Sequence, residues 1–236
     1  MSEQRTWAVH GHGLIGQELE RQISQPGVAE RMGLHIMPLF YTRSSGTYVD
    51  DPNIPIEKDY MELPQPDVTF LSLPSGGDGD HARDVIVQSL SSGGIAITAE
   101  KAALANHFKE LQEVSDDFSR LGVRATVGGG TRLVPTMREF CRDPENVSEL
   151  HLALNGTLTA IMSSIGPAQG AANAFSLGQA VDQAIKLGYA EPGASSPYDV
   201  IRSEAEGDVP KKTSILINLS GLLGESPEVV SWKKFG

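Results

Sequence analysis

The chain has 236 residues, which is enough for one large domain or two modest ones. Its formal net charge of −11, without a basic stripe, argues against a nucleic-acid partner. The one cysteine, Cys141, excludes an internal disulfide, and no apolar run reaches the ~18 residues of a membrane span, so we expect a cytoplasmic protein with no membrane partner.

The first half of the chain has the pattern of alternating strands and helices. A short apolar run from Thr6 to His10 meets a glycine abruptly, as a buried strand entering a tight turn does, and a helix is predicted after it, ending at Pro26 and Gly27. Further elements are predicted as strands over 34–41, 67–73 and 95–98 and a helix over 81–90. This order predicts an α/β fold with a Rossmann-type, doubly wound parallel sheet.

The pattern changes from about residue 135. A strand is predicted over 149–154, a helix begins at the capping box of Ser176 and ends before Gly188, and a last helix opens at Asp208. We therefore predict two domains, a dinucleotide-binding domain over 1–135 and a smaller α+β domain for substrate binding or dimerisation over 136–236.

The turn after the first predicted strand has the G-x-G-x-x-G spacing of a dinucleotide-binding loop. The first glycine permits the sharp exit from the strand, the second lets a pyrophosphate approach the backbone, and the third lets the helix pack closely on the strand. The predicted cofactor-binding residues of this turn are Gly11, His12, Gly13, Leu14, Ile15 and Gly16. The histidine either touches the pyrophosphate or is a loop residue without a role.

Two residues that follow later predicted strands are candidates for contacts with the cofactor. Arg43 stands where an acidic residue would bind the ribose 2′-hydroxyl of NAD, and an arginine there accommodates the 2′-phosphate of NADP. We therefore favour NADP over NAD, with a solvated loop cation as the alternative interpretation of Arg43. Ser75 follows the strand over 67–73 and either reaches the nicotinamide ribose or serves only the turn.

Five short segments then follow one another in a characteristic order. They are T-A-E-K ending at Lys101, V-G-G-G from Val127, N-G-T over 155–157, G-Y-A-E-P over 188–192 and D-V-P-K-K over 208–212. The ordered set resembles the homoserine dehydrogenase family over roughly residues 6–236. The resemblance implies NAD(P)H-dependent interconversion of L-aspartate 4-semialdehyde and L-homoserine, in threonine, methionine and isoleucine biosynthesis, by a homodimer.

The resemblance also implies roles for individual residues. Lys101, which lies beside the cofactor as well, and Lys212 would polarise the substrate carbonyl and handle its proton. Glu191 and Asp208 would hold the amino and hydroxyl ends of the substrate. The other implied substrate-binding residues are Asn155, Gly156, Thr157, Tyr189 and, by a looser match, Asp199. A monovalent cation would sit on backbone carbonyl groups around Val127 and Gly129.

The acidic and basic residues of the last segment also permit a simpler interpretation. Asp208 and Lys212 are four residues apart and share a helix face, which is the pattern of an N-cap aspartate in an i,i+4 ion pair. With Glu191 upstream and Lys101 at the cofactor edge, a substrate pocket is the better account. Two other functions stay open, a dehydrogenase of another small amino or hydroxy acid and a nucleotide-binding protein without turnover.

The chain also departs from the family pattern. Glu100 stands where the family often has asparagine, and a carboxylate is unfavourable beside a pyrophosphate unless it faces away. Arg132 replaces a proline, Thr159 replaces an asparagine, and the stretch between Glu191 and Asp208 is longer than usual. The sequence ends before the family's catalytic core normally does, so we expect a fragment.

Overall fold

A computed structural model describes residues 4–49, 51, 53–74, 77–165, 175–189, 196–223 and 229–234. Contacts between residues divide the chain into two compact units, Met1–Leu133 and Val134–Gly236. No helix in the described part of the chain is both long and apolar enough to cross a membrane.

The described residues of the first unit form a sheet of seven strands in the order β4-β3-β2-β1-β5-β6-β7. Its strands are β1 (Trp7–His10), β2 (Tyr41–Arg43), β3 (Gly46–Tyr48), β4 (Pro55–Ile56), β5 (Val68–Leu71), β6 (Ile95–Thr98) and β7 (Leu121–Gly122). Neighbours among β2, β1, β5, β6 and β7 are parallel, whereas β3 pairs antiparallel with both β2 and β4. The prediction of a Rossmann-type α/β sheet is confirmed.

Helices of the first unit connect the parallel strands. They are α1 (Leu14–Ile23), α2 (Val28–Met32), α3 (Asp80–Ser91) and α4 (Ala102–Val114), and α5 (Leu133–Phe140) begins at the end of the unit. Trp7 and Val9 of β1 are fully buried and pack with Ile23 of α1 and Phe70 of β5. The strand order reverses beside β1, and ligands bind at such a point, outside the carboxyl ends of the strands.

The second strand differs from its prediction over 34–41. Leu34 makes only an isolated bridge with Arg5, and β2 begins at Tyr41. Pro38 offers no backbone N–H to a ladder, which is consistent with the late start. The hairpin that β3 forms with β2 was not predicted; its tight turn ends at Gly46, whose φ of +136° favours glycine.

The described part of the second unit is built from helices. They are α6 (Gly156–Ile165), α7 (Leu177–Lys186), α8 (Pro197–Ser203) and α9 (Val209–Ser220). The strand predicted over 149–154 is wrong, because no described strand pairs with these residues. The strands of the predicted α+β domain are therefore not found among the described residues of this unit.

The sequence predicted the ends of two helices in the second unit, α7 and α9. The capping box of Ser176 is confirmed by its reciprocal bonds with Gln179, and Gly188 follows α7 with a φ of +74°. The last helix, α9, begins at Val209, directly after Asp208 as predicted, although Asp208 has helical dihedral angles and makes no side-chain capping hydrogen bond. A short π-helix over Glu204–Asp208 joins α8 to α9.

Candidate functional site

The glycine turn lies between β1 and α1, and its three glycines meet different surroundings. A Cβ on Gly11, which has a φ of +90°, would lie 2.6 Å from the carbonyl oxygen of Ser72, and one on Gly16 would lie 2.5 Å from the carbonyl oxygen of Gly11. A Cβ on Gly13 would meet no heavy atom within 4 Å. The fold itself therefore requires the outer two glycines, whereas Gly13 faces open space.

The helices α1 and α4 begin at the same edge of the sheet, and only one of them receives a carboxylate. Glu100, which is 2% exposed, accepts the backbone N–H groups of Ala102 (2.6 Å) and Ala103 (2.8 Å) at the start of α4. At α1, Gly13 supplies no side-chain cap. The first N–H groups of α1 are thus suited to an anionic ligand, and the charge of Glu100 is directed into α4.

A cavity of about 630 Å³ opens at this edge of the first unit. Its lining residues come from the glycine turn, the β2–β3 hairpin, the segments around Tyr60 and Pro74, and the start of α3. Cavities of roughly 300–1,000 Å³ are typical of small-molecule and cofactor sites. The cavity therefore extends from the glycine turn to the end of β2, where a dinucleotide of the predicted kind would place its adenosine.

Arg43 lines this cavity at the carboxyl end of β2. Its guanidinium lies 5.1 Å from the ring centroid of Tyr48, and its Nη2 donates to Nδ1 of His12 over 2.9 Å. Its Nε is buried and has no hydrogen-bond partner among the described residues. Tyr48 pairs with Tyr41 in the β2–β3 ladder, so the hairpin places the ring of Tyr48 where it packs against the guanidinium of Arg43.

The side chain of His12 is held within the protein. It is 6% exposed, its ring lies 4.5 Å from that of Tyr41, and its Nε2 is 2.6 Å from Oε2 of Glu20. An arginine can only donate, so Nδ1 of His12 is the acceptor and Nε2–H donates to Glu20. Both ring nitrogens are therefore engaged by side chains, and the backbone N–H and carbonyl of His12 are bonded to the carbonyl of Thr42 and to Nε2 of Gln17.

Tyr60, which lines the cavity, packs against the buried ring of His10. His10, 2% exposed, shares a 3.1 Å hydrogen bond between its Nδ1 and the hydroxyl of Thr42, and its ring packs edge-on against Tyr60. Burial, with a smaller contribution from the charge of His81, lowers the pKa of His10 from 6.5 to about 4. His10 is therefore neutral at neutral pH.

A cluster of polar side chains lies in the second unit, where the N-G-T segment meets the last helix. Nδ2 of Asn155 donates to Oε2 of Glu204 (2.5 Å) and to Oδ2 of Asp208 (2.8 Å). The ammonium of Lys212 lies 2.6 Å from the same Asp208 oxygen and donates to the carbonyl of Leu154. The predicted ion pair is confirmed, and its side chains are only 17–18% exposed.

The rest of the N-G-T segment is tied to the segment around Tyr189. The hydroxyl of Thr157 donates to the carbonyl oxygen of Tyr189 over 2.5 Å, and Gly156 begins α6. A cavity of about 500 Å³ in this unit is lined by Asn155 and by apolar residues such as Leu158 and Met162. These contacts bring three of the predicted substrate-site segments together within the second unit.

Two acidic residues of the segment before α9 have different partners. Asp199 lies at the start of α8, where its side chain and backbone N–H bond the hydroxyl of Ser196. Glu204, which the sequence interpretation passed over, shares the amide of Asn155 with Asp208. The signal was present in the sequence as the four-residue spacing of positions 204, 208 and 212, which predicts one helix face.

The remaining predicted residues have these positions. Lys101 precedes α4, directly after Glu100, at the carboxyl edge of the sheet. Val127 is buried, and both Gly128 and Gly129 have positive φ angles. Leu14 and Ile15 begin α1 with exposed side chains; Ser75 and Glu191 lie outside the described residues. In the part of the chain that the structure describes, no group of three or more histidine, cysteine or acidic side chains could hold a metal ion.

The sheet order, the glycine turn and the cavity at the carboxyl edge define the first unit as a Rossmann-type α/β domain with a candidate dinucleotide site. No protein-family model matches the chain. The homoserine dehydrogenase of Paracoccidioides brasiliensis (strain Pb18) is 30% identical over 145 residues, which are 59% of this chain and 37% of that relative. The homoserine dehydrogenase of Corynebacterium glutamicum is 27% identical over 226 residues, 90% of this chain and 46% of that relative.

Solved structures agree with the sequence relatives. The homoserine dehydrogenase of Thermoplasma acidophilum matches with a TM-score of 0.66 and 20% identity, over 97% of this chain and 71% of that chain. A hyperthermophilic archaeal homoserine dehydrogenase in complex with NADPH matches with a TM-score of 0.65 and 20% identity, over 92% and 70%. The chain is thus similar in sequence to homoserine dehydrogenases and in fold to their solved structures, and it spans less than half the length of the two sequence relatives.

Proposed function

We propose that the chain carries out the reduction of L-aspartate 4-semialdehyde to L-homoserine, reversibly and with a preference for NADP over NAD. In the cell this reaction would serve threonine, methionine and isoleucine biosynthesis. The observation that carries the proposal is the partly buried cluster of Asn155, Glu204, Asp208 and Lys212, in a chain that also has a glycine-turn cavity. The sequence relatives, which are homoserine dehydrogenases, support it.

The cofactor cavity fits a phosphorylated dinucleotide. The open space at Gly13 and the uncapped start of α1 suit a pyrophosphate. The buried Nε of Arg43, without a partner among the described residues, suits the 2′-phosphate of NADP, which accepts N–H bonds in a fork. NADPH, when bound, supplies the hydride.

The cluster in the second unit suits an amino-acid substrate with a reactive carbonyl. Glu204 and Asp208 are hydrogen-bond acceptors that can bind the substrate ammonium, and Asn155 holds the two carboxylates in place. The ammonium of Lys212 can donate to the carbonyl oxygen as negative charge develops there. By resemblance, Lys101 and Glu191 would also act on the substrate, Gly156, Thr157, Tyr189 and Asp199 would bind it, and Ser75 would bind the cofactor.

Two further features of the family are proposals for this chain. A monovalent cation would bind backbone carbonyl groups of Val127 and Gly129, in a turn that positive φ angles at Gly128 and Gly129 bend sharply. A homodimer would be the working form, and sedimentation velocity measures that directly. The chain would work in the cytoplasm.

The experiment that tests the proposal is NADPH oxidation with L-aspartate 4-semialdehyde, compared among wild type, Lys101→Ala, Lys212→Ala and Lys211→Ala. We expect Lys101→Ala and Lys212→Ala to lower kcat/KM by about 100-fold or more, the range for loss of a proton-transfer group. Lys211→Ala is the matched control, because its ammonium lies 5.3 Å from the ring centroid of Trp232 rather than in the acidic cluster.

The outcomes separate the three functional hypotheses. NADPH binding without oxidation would favour a nucleotide-binding protein without turnover. Oxidation with another small keto or aldehyde acid, but not with the semialdehyde, would favour a different dehydrogenase. Oxidation that neither lysine substitution changes would contradict the assigned roles of Lys101 and Lys212.

A further inference from the structure

The side chains of Arg43, His12 and Glu20 form a continuous hydrogen-bonded row that begins in the cofactor cavity. Arg43 Nη2 donates to His12 Nδ1 over 2.9 Å, and His12 Nε2 donates to Glu20 Oε2 over 2.6 Å. His12 also packs on Tyr41 and is 6% exposed, so its ring has little freedom to turn. The row therefore connects the end of β2 with helix α1.

From this geometry we propose that His12 and Glu20 are positioning residues that set the preference of the site for a 2′-phosphorylated nucleotide by holding Arg43 in place. The inference rests on the proposed function, because it concerns the 2′-phosphate of NADP. It gives His12 a role other than contact with the pyrophosphate, and it adds Glu20, which lies in α1 beyond the glycine turn.

The physical reason lies in the flexibility of arginine. A free arginine side chain loses rotamer entropy when a phosphate orders it. Here the ring of Tyr48 supports the guanidinium from one side and His12 takes one of its N–H donors, while Nε has no partner among the described residues. A preordered fork binds its ligand with less entropy loss.

Glu20 decides which tautomer of His12 is present. Because the carboxylate accepts from Nε2–H, Nδ1 carries a lone pair and can accept from Arg43. Without the carboxylate, the other tautomer would place an N–H against the guanidinium. Glu20 is 21% exposed on α1, so its replacement is compatible with folding.

The test measures binding of defined nucleotides by isothermal titration calorimetry. The probes are NADPH, NADH, adenosine 2′,5′-bisphosphate and AMP, and the variants are His12→Phe, His12→Asn, Glu20→Ala, Arg43→Ala and the double variant of His12→Phe with Arg43→Ala. Glu18→Ala is the matched control, because Glu18 pairs with Arg21 on the exposed face of the same helix. Circular dichroism checks the fold of each variant.

We expect His12→Phe to weaken NADPH and adenosine 2′,5′-bisphosphate by about tenfold and NADH and AMP by less than about twofold, which is the size of one charge-assisted hydrogen bond. His12→Asn, whose side-chain oxygen can replace Nδ1 as acceptor, should retain most of the selectivity. Glu20→Ala should lower the selectivity a few-fold and Glu18→Ala should leave it unchanged. The double variant should bind NADPH no more weakly than Arg43→Ala alone.

Three results would overturn the inference. Equal weakening of NADPH and NADH by His12→Phe would place the effect on the fold or the pyrophosphate. A double variant that binds NADPH more weakly than Arg43→Ala would show that His12 acts independently of Arg43. If the wild type prefers NADPH and both His12→Phe and Glu20→Ala keep that selectivity, this inference alone is overturned. A wild type that binds neither NADPH nor NADH would overturn the proposed function as well.

Discussion

Asn155 donates from its Nδ2 to Oδ2 of Asp208 over 2.8 Å, across 53 positions of the sequence. The same Nδ2 group serves Glu204, so one amide neutralises part of the repulsion between two carboxylates. Asn155 Oδ1 meanwhile accepts the backbone N–H of Leu158 and caps α6. A single buried amide thus links the start of one helix to the acidic face of another.

Replacing that amide by a carboxylate should destabilise the protein. In Asn155→Asp a third negative charge would face Glu204 and Asp208 and the donor would be lost, so we expect the free energy of unfolding at pH 7 to fall by about 2 kcal/mol or more. Added salt screens like-charge repulsion, so the loss should shrink at high ionic strength. Urea unfolding at low and high salt measures this, and an equal loss at both salt concentrations would contradict a charge-repulsion mechanism.

Alanine at the second glycine of the turn should weaken dinucleotide binding, whereas alanine at the third should lower the stability of the protein. Gly16→Ala should cost about 1–3 kcal/mol of stability, since its Cβ would lie 2.5 Å from a backbone oxygen. Gly13→Ala should change stability by less than about 1 kcal/mol, because Gly13 has a φ of −85° and open space around it. It should nonetheless weaken dinucleotide binding at least about tenfold, because the methyl group would occupy the approach of the pyrophosphate.

Thermal unfolding and calorimetric titration of the same samples check this pair. A Gly13→Ala variant that binds NADPH as the wild type does would place the pyrophosphate elsewhere. A Gly16→Ala variant of unchanged stability would mean that α1 can shift away from β1 at little cost.

Glu100 should act as the cap of α4. Glu100→Ala would leave the N–H groups of Ala102 and Ala103 without their carboxylate, and we expect a loss of about 1–3 kcal/mol in the free energy of unfolding. Glu100→Gln retains one acceptor oxygen and should lose less. Denaturant titration measures both; the ion-paired but exposed Glu206, replaced by alanine, is a control for loss of a carboxylate at the surface.

His10 should make stability depend on pH in a defined window. Its pKa is lowered to about 4 in the folded protein, so between pH 6.5 and about 4 the unfolded chain binds more protons than the folded one. The free energy of unfolding should therefore fall as the pH falls through this window, by about 3 kcal/mol in total from this group. The charges that face His10 are those of His81 and Asp59, which act in opposite directions.

Urea unfolding of His10→Asn between pH 7 and 4 tests this. The variant should be less stable at pH 7, because the ring packing is lost, but should show a shallower dependence on pH. His151→Asn is the control, since the side chain of His151 is 84% exposed. A slope in His10→Asn as steep as in the wild type would show that His10 does not carry this dependence.

The β2–β3 hairpin and the cluster around Asn155 are features that could not be predicted from the sequence, whereas several local features could. The glycine turn, β6 and the capping box of Ser176 were predictable because each depends on neighbours within a few positions. The ordering of the Arg43 side chain was not predictable, because its contact with Tyr48 depends on the pairing of β2 with β3. The helix start at Asp208 was predictable from local sequence, but the π-helix that precedes it, over Glu204–Asp208, was not predicted.

By itself the sequence determined the α/β class, the place of the cofactor turn and the pairing of Asp208 with Lys212, all of which follow from local spacing and hydrophobic periodicity. Only the tertiary structure decided that Glu100 caps α4, that Asn155 bonds both Glu204 and Asp208 and that His12 lies between Arg43 and Glu20. These last contacts join residues that packing brings together, and the direction of a buried side chain depends on neighbours that no local pattern specifies.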